Sequence, residues 1–446
     1  MGRIGSFSLL AQGIMTTLPQ RIMTTTFACA ETEPVTFGFA KNALLRRIEP
    51  LNSQPVPLSD ACERITAEDI IAQEDLVPYA RSAMDGYALR SIDTVGASVD
   101  SPLRLPIIGK VFTGDRQSIL AAGAVIGITT GAAIPINADA VVPHEQVTVR
   151  DQWIILNRSV AAGDCIFPPA EDVRKGEVLL KRGSVLDPGS LGLLAFAGKS
   201  QIRVYRRPRV SLLCTGSELV EVNETPGCGQ VRNSNASVLT GVLSQCGAET
   251  RYCGAISDTS TQLRSALESA ARNTDLLITT GGASVGERDL VKSVLEEIGT
   301  EFEFRRVAMR PGKPFAFGWL RGLPICVLPG NPAAAFVCYQ QLVRPLLLKL
   351  AGRNEIDLPT LPATLVGNAK SKVGSQYFVF ANVKVSRFGF LVEPLNNQCS
   401  ALVRNPAKAN ALITLPEGPA LYKRGDEVMV QILNWSSILH ENSTSM

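Results

Sequence analysis

Leu276 to Asp289 reads LLITTGGASVGERD, a stretch compatible with very few architectures. Five residues with buried-strand character, Leu276 to Thr280, run into a loop with three glycines, Gly281, Gly282 and Gly286. The loop ends in Asp289, and apolar residues then recur at helical spacing: Leu290, Val291, Val294, Leu295 and Ile298. A continuous apolar strand, a short glycine loop and an amphipathic helix belong to a parallel α/β sheet. Such loops lie outside the carboxyl ends of the strands, where α/β sheets bind ligands. Glycine lets the backbone approach a ligand, and the helix's first N–H groups and its dipole favour an anion. An acid beside an anion site repels the anion unless a divalent cation lies between them. The stretch therefore points to a phosphorylated small molecule bound with magnesium.

The same alternation extends from Pro208 to Ala351. Strands VSLLC, TRYCGAI, DLLITT, FRRVAM and PICVLPG are read, with helices over 236–246, 261–271, from Leu290, and over 332–351. Three loops rich in small and polar residues fall at one end of that sheet: Thr215-Gly216-Ser217-Glu218, Thr280 to Ser284, and Pro329-Gly330-Asn331-Pro332. On either side the pattern differs. A helix is expected over 39–48, another followed by a strand over 60–70, and a third over 191–197. Residues 103–156 alternate short β segments with Gly and Pro turns, which predicts a small β-rich module. From Asp357 onward, PATLVG, YFVFANVKV, GFLVEPL, NALITL and EVMVQIL predict a small β-barrel or sandwich.

Composition narrows the function. At 446 residues the chain holds several domains, and 45% hydrophobic residues supply ample core. A net charge of +3 gives no bulk reason to expect nucleic acid or a membrane surface as partner. No apolar run reaches the roughly 18 residues of a membrane helix. The ten cysteines are scattered without a C-x-x-C, which fits a reducing compartment and a cytoplasmic location. With only His144 and His440, histidine-type zinc chemistry and a Ser-His-Asp triad are nearly excluded. Acid–base work then falls to carboxylates, lysines or water. Residues 1–30 contain no acid and are rich in Ser and Thr. That composition fits a transit peptide, Gly2 with Ser6 fits a myristoylation pattern, and an upstream start before Met15 or Met23 fits equally.

Individual residues admit plain readings as well. Met-Asp-Gly-Tyr within Ser82 to Ala88 reads as a turn in which Gly86 supplies a special dihedral. Glu218 and Asp289 read as helix N-terminal carboxylates, and Asp258 as an N-cap. Their convergence at one end of one sheet, where a metal needs oxygen ligands, favours the functional reading. Arg306, Arg310 and Lys313 lie in RRVAMRPGKPFAFG, where Pro311-Gly312 and Pro314 make a tight turn near the same rim. Basic groups there neutralise phosphate or an oxyanion.

Seven segments occur in a fixed order: SAMDGYA, ITTGAAIP, RPRVSLLCTGSEL, VRNSNA, TTGGASVGERD, MRPGKPFAFG and LPGNPAAAF. Together they resemble the MoeA family, the molybdopterin molybdenumtransferases, which includes the C-terminal domain of gephyrin and its plant counterparts. The likeness runs from about Pro34 to about Leu433. It implies a multidomain α/β plus β fold: a parallel α/β molybdopterin-binding domain shared with the MogA and CinA families, an elongated N-terminal region with an inserted β-rich module, and a C-terminal β-barrel. The implied division is 1–33 as a disordered or targeting segment, 34–80 with 168–207, then 81–167, 208–355 and 356–435. The implied activity is molybdenum insertion into adenylylated molybdopterin, with magnesium-dependent release of AMP. The implied assembly is a homodimer with a composite site, and a MogA-type adenylyltransferase is a further expected partner.

Residue by residue, the resemblance makes Asp85 the essential aspartate supplied across the dimer, and Thr130 the threonine of Thr-Gly-Ala. Glu218, Asp258 and Asp289 match the carboxylates around nucleotide and metal. Thr215, Gly216, Ser217, Gly281, Gly282, Ser284, Pro329, Gly330 and Asn331 fall in the cofactor loops. Lys313 matches the Pro-Gly-Lys-Pro lysine, and Ser400 a serine at the molybdate pocket. Arg306 and Arg310 stand where the family usually has lysine. Phe380 stands near the position of the family's barrel arginine, and Cys399-Ser400-Ala401 replaces Gly-Ser-Gly. With that arginine lost, Arg404 or Lys384 is expected to capture molybdate, or capture is impaired. Two other functions stay open: a non-catalytic molybdopterin-binding paralogue or scaffold, and a MogA-type adenylyltransferase.

Overall fold

The computed structural model describes residues 33–282 and 290–440. Ser284, Gly286, Asp289 and the N-terminal segment with its targeting alternatives lie outside these residues. Among the described residues no helix is long and apolar enough to cross a membrane.

Six strands build the α/β sheet: β1 (Arg209–Thr215), β2 (Glu249–Ile256), β3 (Leu276–Thr280), β4 (Thr300–Phe304), β5 (Ala316–Leu320) and β6 (Leu323–Leu328). Their order is β2-β1-β3-β6-β5-β4. β2, β1, β3 and β6 run parallel, while β5 is antiparallel to both neighbours. Both faces are covered, and the two-residue side-chain period sorts each strand between them. Leu212 and Ile278 face one core with Leu239, Leu243 and Leu346. Leu213 and Leu277 face the other, with Leu263, Leu267, Val294 and Leu295. This is why the strands read as continuous apolar runs.

The helical segment Pro332–Leu350 is buried along nearly its whole length, as its composition requires. It widens by one residue per turn over Tyr339–Val343. There Tyr339 donates its hydroxyl to Val242 O at 2.8 Å, and Gln341 Nε2 donates to Gln431 Oε1 at 2.7 Å. The second bond ties the helix to the C-terminal barrel.

That barrel closes because Gln376–Ser386 pairs with both Gly389–Pro394 and Ala411–Leu415. Thr360–Leu365 and Glu427–Ile432 complete it. The segment FRRVAM, read as one α/β strand, divides. β4 ends at Phe304, and Val307–Arg310 leaves the sheet to pair with Gln376 and Tyr377 of the barrel and with Val35–Thr36. Val307 and Met309 still reach the central core, so the apolar pattern is the same for either sheet.

Helix Phe37–Leu45 packs Ala40, Ala43 and Leu44 into this central core. The remaining N-terminal pairing begins at Ser53–Pro57 with Gln201–Tyr205. No helix spans 60–70. Glu63 adopts φ 59° and donates its N–H to Leu186 O at 2.8 Å, and Thr66 bridges Val204. Tertiary pairing overrides local propensity here. The β-rich module holds a six-stranded sheet between two apolar clusters. Gly86 is not at positive φ; it lies in strand Gly86–Leu89, where a Cβ would meet Val142 O at 2.1 Å. Close strand approach, not a turn dihedral, requires this glycine.

A bidentate ion pair holds the segment before β1. Arg206 Nη1 and Nη2 donate to Asp275 at 2.5 and 2.6 Å, and Arg209 N adds a bond at 2.8 Å. Burial pushes the Asp275 pKa up, but these bonds outweigh it and hold the carboxyl below its ordinary value. Arg206→Ala is expected to cost about 2 kcal/mol, less than a fully buried pair because both groups touch solvent. A lowered folded-state pKa means the contribution is present above the unfolded pKa and is lost as pH falls through the folded one. Urea unfolding from neutral to acid pH should show the variant's deficit shrinking on the acid side.

Candidate functional site

Two cavities adjoin at the carboxyl end of the sheet, sharing Pro314, Pro329 and Asn331 as a common wall. The first, about 570 Å³, is lined by Thr215, Gly216, Glu218, Asp258, Gly281, Gly282 and Gly330. Arg232, Asn233 and Asn235 close its other side. The second, about 710 Å³, lies between this domain and the barrel.

Short hydrogen bonds fix the first cavity. Asn235 Nδ2 donates to Thr280 Oγ1 at 2.9 Å and to Gly330 O at 2.8 Å. Thr280 Oγ1 in turn donates to Pro329 O at 2.9 Å. Asn233 caps helix Ser234–Gln245 through Ala236 N, and its Nδ2 donates to Tyr252 OH at 2.8 Å. Tyr252 donates onward to Glu221 at 2.7 Å, and burial first, then this bond, raises its pKa. Beneath them Cys214 is buried and its pKa is pushed up to about 11, so it is a thiol rather than a thiolate nucleophile. Asn233 and Asn235 come from VRNSNA, and the sequence alone marks neither as a site residue. The legible signal was an Asn immediately before a helical pattern.

Ser217 and Asp258 bond reciprocally: Ser217 N donates to Asp258 Oδ2 at 3.3 Å, and Asp258 N donates to Ser217 Oγ at 3.2 Å. Thr259, not Asp258, occupies the cap of helix Ser260–Ala270, which removes the N-cap reading of Asp258. Glu218 precedes a short strand, Leu219–Val220, so it is no helix N-terminal acid. Thr215 Oγ1 and Asp258 Oδ1 are buried and make no hydrogen bond. Buried oxygens facing a cavity fit a ligand donor or a cation. Among the described residues no group of three or more His, Cys, Asp and Glu is gathered. Glu218 and Asp258 are the two carboxylates lining this cavity, and Asp289 lies outside the described residues.

The second cavity differs in charge. Arg310, Lys313, Lys370 and Lys372 line it, and among the described residues no carboxylate does. The Pro-Gly-Lys-Pro turn is held by Phe315 N to Gly312 O and Val307 N to Lys313 O, both at 3.0 Å. At Gly312, φ is 120° and a Cβ would meet Cys338 Sγ at 2.6 Å. Ser400 joins the barrel to the wall between cavities: its carbonyl accepts from Ala333 N at 3.1 Å, and its Oγ from Asn331 Nδ2 at 3.2 Å.

Phe380, which the resemblance sets near an expected arginine, is buried, and its ring centroid lies 6.2 Å from that of Phe336. Arg404 and Lys384, the expected replacements, line neither cavity; Lys370 and Lys372 do. These two lysines leave no sequence signal, because strand Ala369–Ser371 is placed by its pairing with the distant Ala420–Tyr422 in a separate two-stranded sheet. Arg306 lines neither cavity either.

Asp85 and Thr130 meet in the β-rich module. Thr130 N and Oγ1 donate to Asp85 Oδ1 at 2.6 and 2.9 Å. These two bonds, the backbone one first, hold the carboxyl below its ordinary pKa. Gly131 N donates to Ser82 O at 2.8 Å, so SAMDGYA and ITTGAAIP form one rim. No residue of 81–167 lines either cavity of the same chain.

The profile of the MoeA N-terminal region (domain I and II) matches residues 35–198. That of a probable molybdopterin binding domain matches 211–349, and that of the MoeA C-terminal region (domain IV) matches 363–433. A molybdopterin molybdenumtransferase of Haemophilus influenzae is 35% identical over 405 residues, 90% of this chain and 99% of the relative. One of Bacillus subtilis is 34% identical over 383 residues, 85% and 89% of the two chains. The solved structure of a molybdopterin biosynthesis MoeA protein from Pyrococcus horikoshii superimposes with a TM-score of 0.80 at 28% identity, covering 90% of this chain and all of that one. Three profiles in register along the chain and relatives matched almost end to end leave one conclusion: this protein belongs to the MoeA family.

Proposed function

We propose that the protein is a molybdopterin molybdenumtransferase that takes adenylylated molybdopterin and molybdate and releases AMP with magnesium. The observation that carries this is the charge division between the two adjoining cavities. Among the described residues, one is lined by glycine loops, by Glu218 and Asp258 with the single cation Arg232, and by buried oxygens without a hydrogen-bond partner; the other is lined by Arg310, Lys313, Lys370 and Lys372 and by no acid. The first suits a nucleotide on backbone N–H groups, and the second suits a dianionic oxometalate. Asn235 and Thr280 keep the glycine loops in register, and Lys313, Arg310, Lys370 and Lys372 offset the repulsion between two anionic substrates. Glu218 and Asp258, with Asp289, would hold magnesium, which supplies neutralising charge at the phosphoanhydride. The sulfurs that receive molybdenum belong to the pterin, so the chain need supply no thiolate.

The reading includes the domain division given above and a homodimer in which Asp85 and Thr130 of one subunit face the cavities of the other. The purified protein is expected to release AMP from adenylylated molybdopterin only when molybdate and magnesium are both present. AMP release indifferent to molybdate removes the proposal. ATP consumption on unadenylylated molybdopterin would instead assign a MogA-type adenylyltransferase, and failure to complement an insertase-deficient strain would assign a scaffold. Lys370→Ala/Lys372→Ala is expected to raise the molybdate requirement about tenfold, with the nucleotide requirement unchanged. Equal effects on both would place the lysines elsewhere in the reaction.

A further inference from the structure

At the amino end of the same sheet lies a third cavity, of about 180 Å³. Its walls are Glu63, Arg64, Ile65, Val185 and Tyr205 on one side, Arg206 to Pro208 before β1, and the ends of two helices with Arg353 on the other. We propose that it is a binding site for a small tetrahedral oxyanion of the phosphate type.

Four arginines line it against one carboxylate, Glu63. Arg206 is neutralised by Asp275. Arg64 Nη2 donates to Tyr205 O at 2.9 Å, and Glu249 lies near enough to act on its charge. Arg353 Nε is buried and has no hydrogen-bond partner. Burial, and then the charge of Arg207, lower the pKa of Arg64. Like-charged, partly desolvated guanidiniums around one cavity are unfavourable until an anion is shared between them. A guanidinium with a buried, unused N–H is the group that binds an oxyanion most directly.

Helix C-termini also attract arginine, and helices Ser234–Gln245 and Arg344–Leu350 both end here. Several of their last carbonyls accept backbone N–H groups. Leu243 O and Ser244 O accept from Cys246 N and Gly247 N, and Leu347 O, Leu348 O and Lys349 O accept from Ala351, Arg353 and Gly352 N. Among the described residues, none of the four guanidiniums donates to a carbonyl of either helix end. The cavity falls below the roughly 300 Å³ of an ordinary small-molecule pocket, so a nucleotide is too large and a single tetrahedral ion fits. Bound there, the ion would bridge the two-segment N-terminal region and the α/β domain.

The test uses the full chain and inorganic phosphate, with chloride holding ionic strength constant, read by titration calorimetry and by thermal midpoint. Molybdate is the second arm. Arg353→Gln and the exposed Arg207→Gln are each expected to weaken phosphate binding about tenfold, a charge-assisted contact removed. Lys370→Ala/Lys372→Ala, which alters the other anion cleft, is expected to leave phosphate binding intact. Saturable phosphate binding lost in both arginine variants and kept in the lysine variant establishes the site. Binding that the lysine variant abolishes and the arginine variants keep, or no binding beyond the chloride control, overturns it. If Arg353→Gln does not fold, Arg207→Gln alone decides. If molybdate alone shows the arginine-dependent binding, the phosphate assignment fails.

Discussion

Gly281→Ala is expected to destabilise the protein by about 2–4 kcal/mol and to abolish binding of the pterin nucleotide, since a strained backbone and a main-chain clash act together. Gly281 sits at φ 98°, which residues with a Cβ rarely adopt. A Cβ there would lie 2.0 Å from Thr215 O and 2.8 Å from Thr215 Oγ1. The first obstacle is backbone, so no rotamer relieves it. Moving the loop would stretch Gly281 N to Leu328 O, already 3.3 Å, and separate two walls of the first cavity. Gly330 makes the control. It lines the same cavity, but its Cβ would meet only Gly281 Cα at 3.5 Å, an ordinary contact. Gly330→Ala should therefore fold with wild-type stability. Urea midpoints and nucleotide titration of both variants check this; equal stability of Gly281→Ala and wild type would remove the assigned role of the close approach.

Asp85→Ala and Asp258→Ala are each expected to lower AMP release by at least about 100-fold, the loss typical of a positioned acid–base or charge-orienting group. Co-expressed, they should recover about a quarter of wild-type activity: in the proposed homodimer, random pairing would make half the dimers mixed and each mixed dimer would hold one intact composite site. The expectation rests on where the two aspartates sit. Asp85 is fixed by Thr130 in the β-rich module, and Asp258 by Ser217 at the end of β2. No module residue lines the cavities of its own chain. Purified mixed dimers with no recovery would mean that each chain works alone.

Elements whose signal is local are legible in the residue pattern alone. The apolar runs of β1, β3 and β6, the helices 234–245 and 260–270 and the buried helix 332–350 all follow from period and flanking turns. So do the three loops at one end of the sheet, because parallel connection forces every strand to finish at the same rim. What depends on partners far along the chain was hidden. Val307–Arg310 has the pattern of any strand, and only the barrel edge it meets removes it from the α/β sheet. Glu63 reads as helical until Leu186 captures its N–H. Phe380 reads as a lost arginine, yet its register points it at Phe336 and the core. Lys370 and Lys372 are two unremarkable surface lysines in sequence. Pairing of strand Ala369–Ser371 with Ala420–Tyr422, a choice made by non-local hydrogen bonds and burial rather than by periodicity, sets them at the cavity that Lys313 also lines.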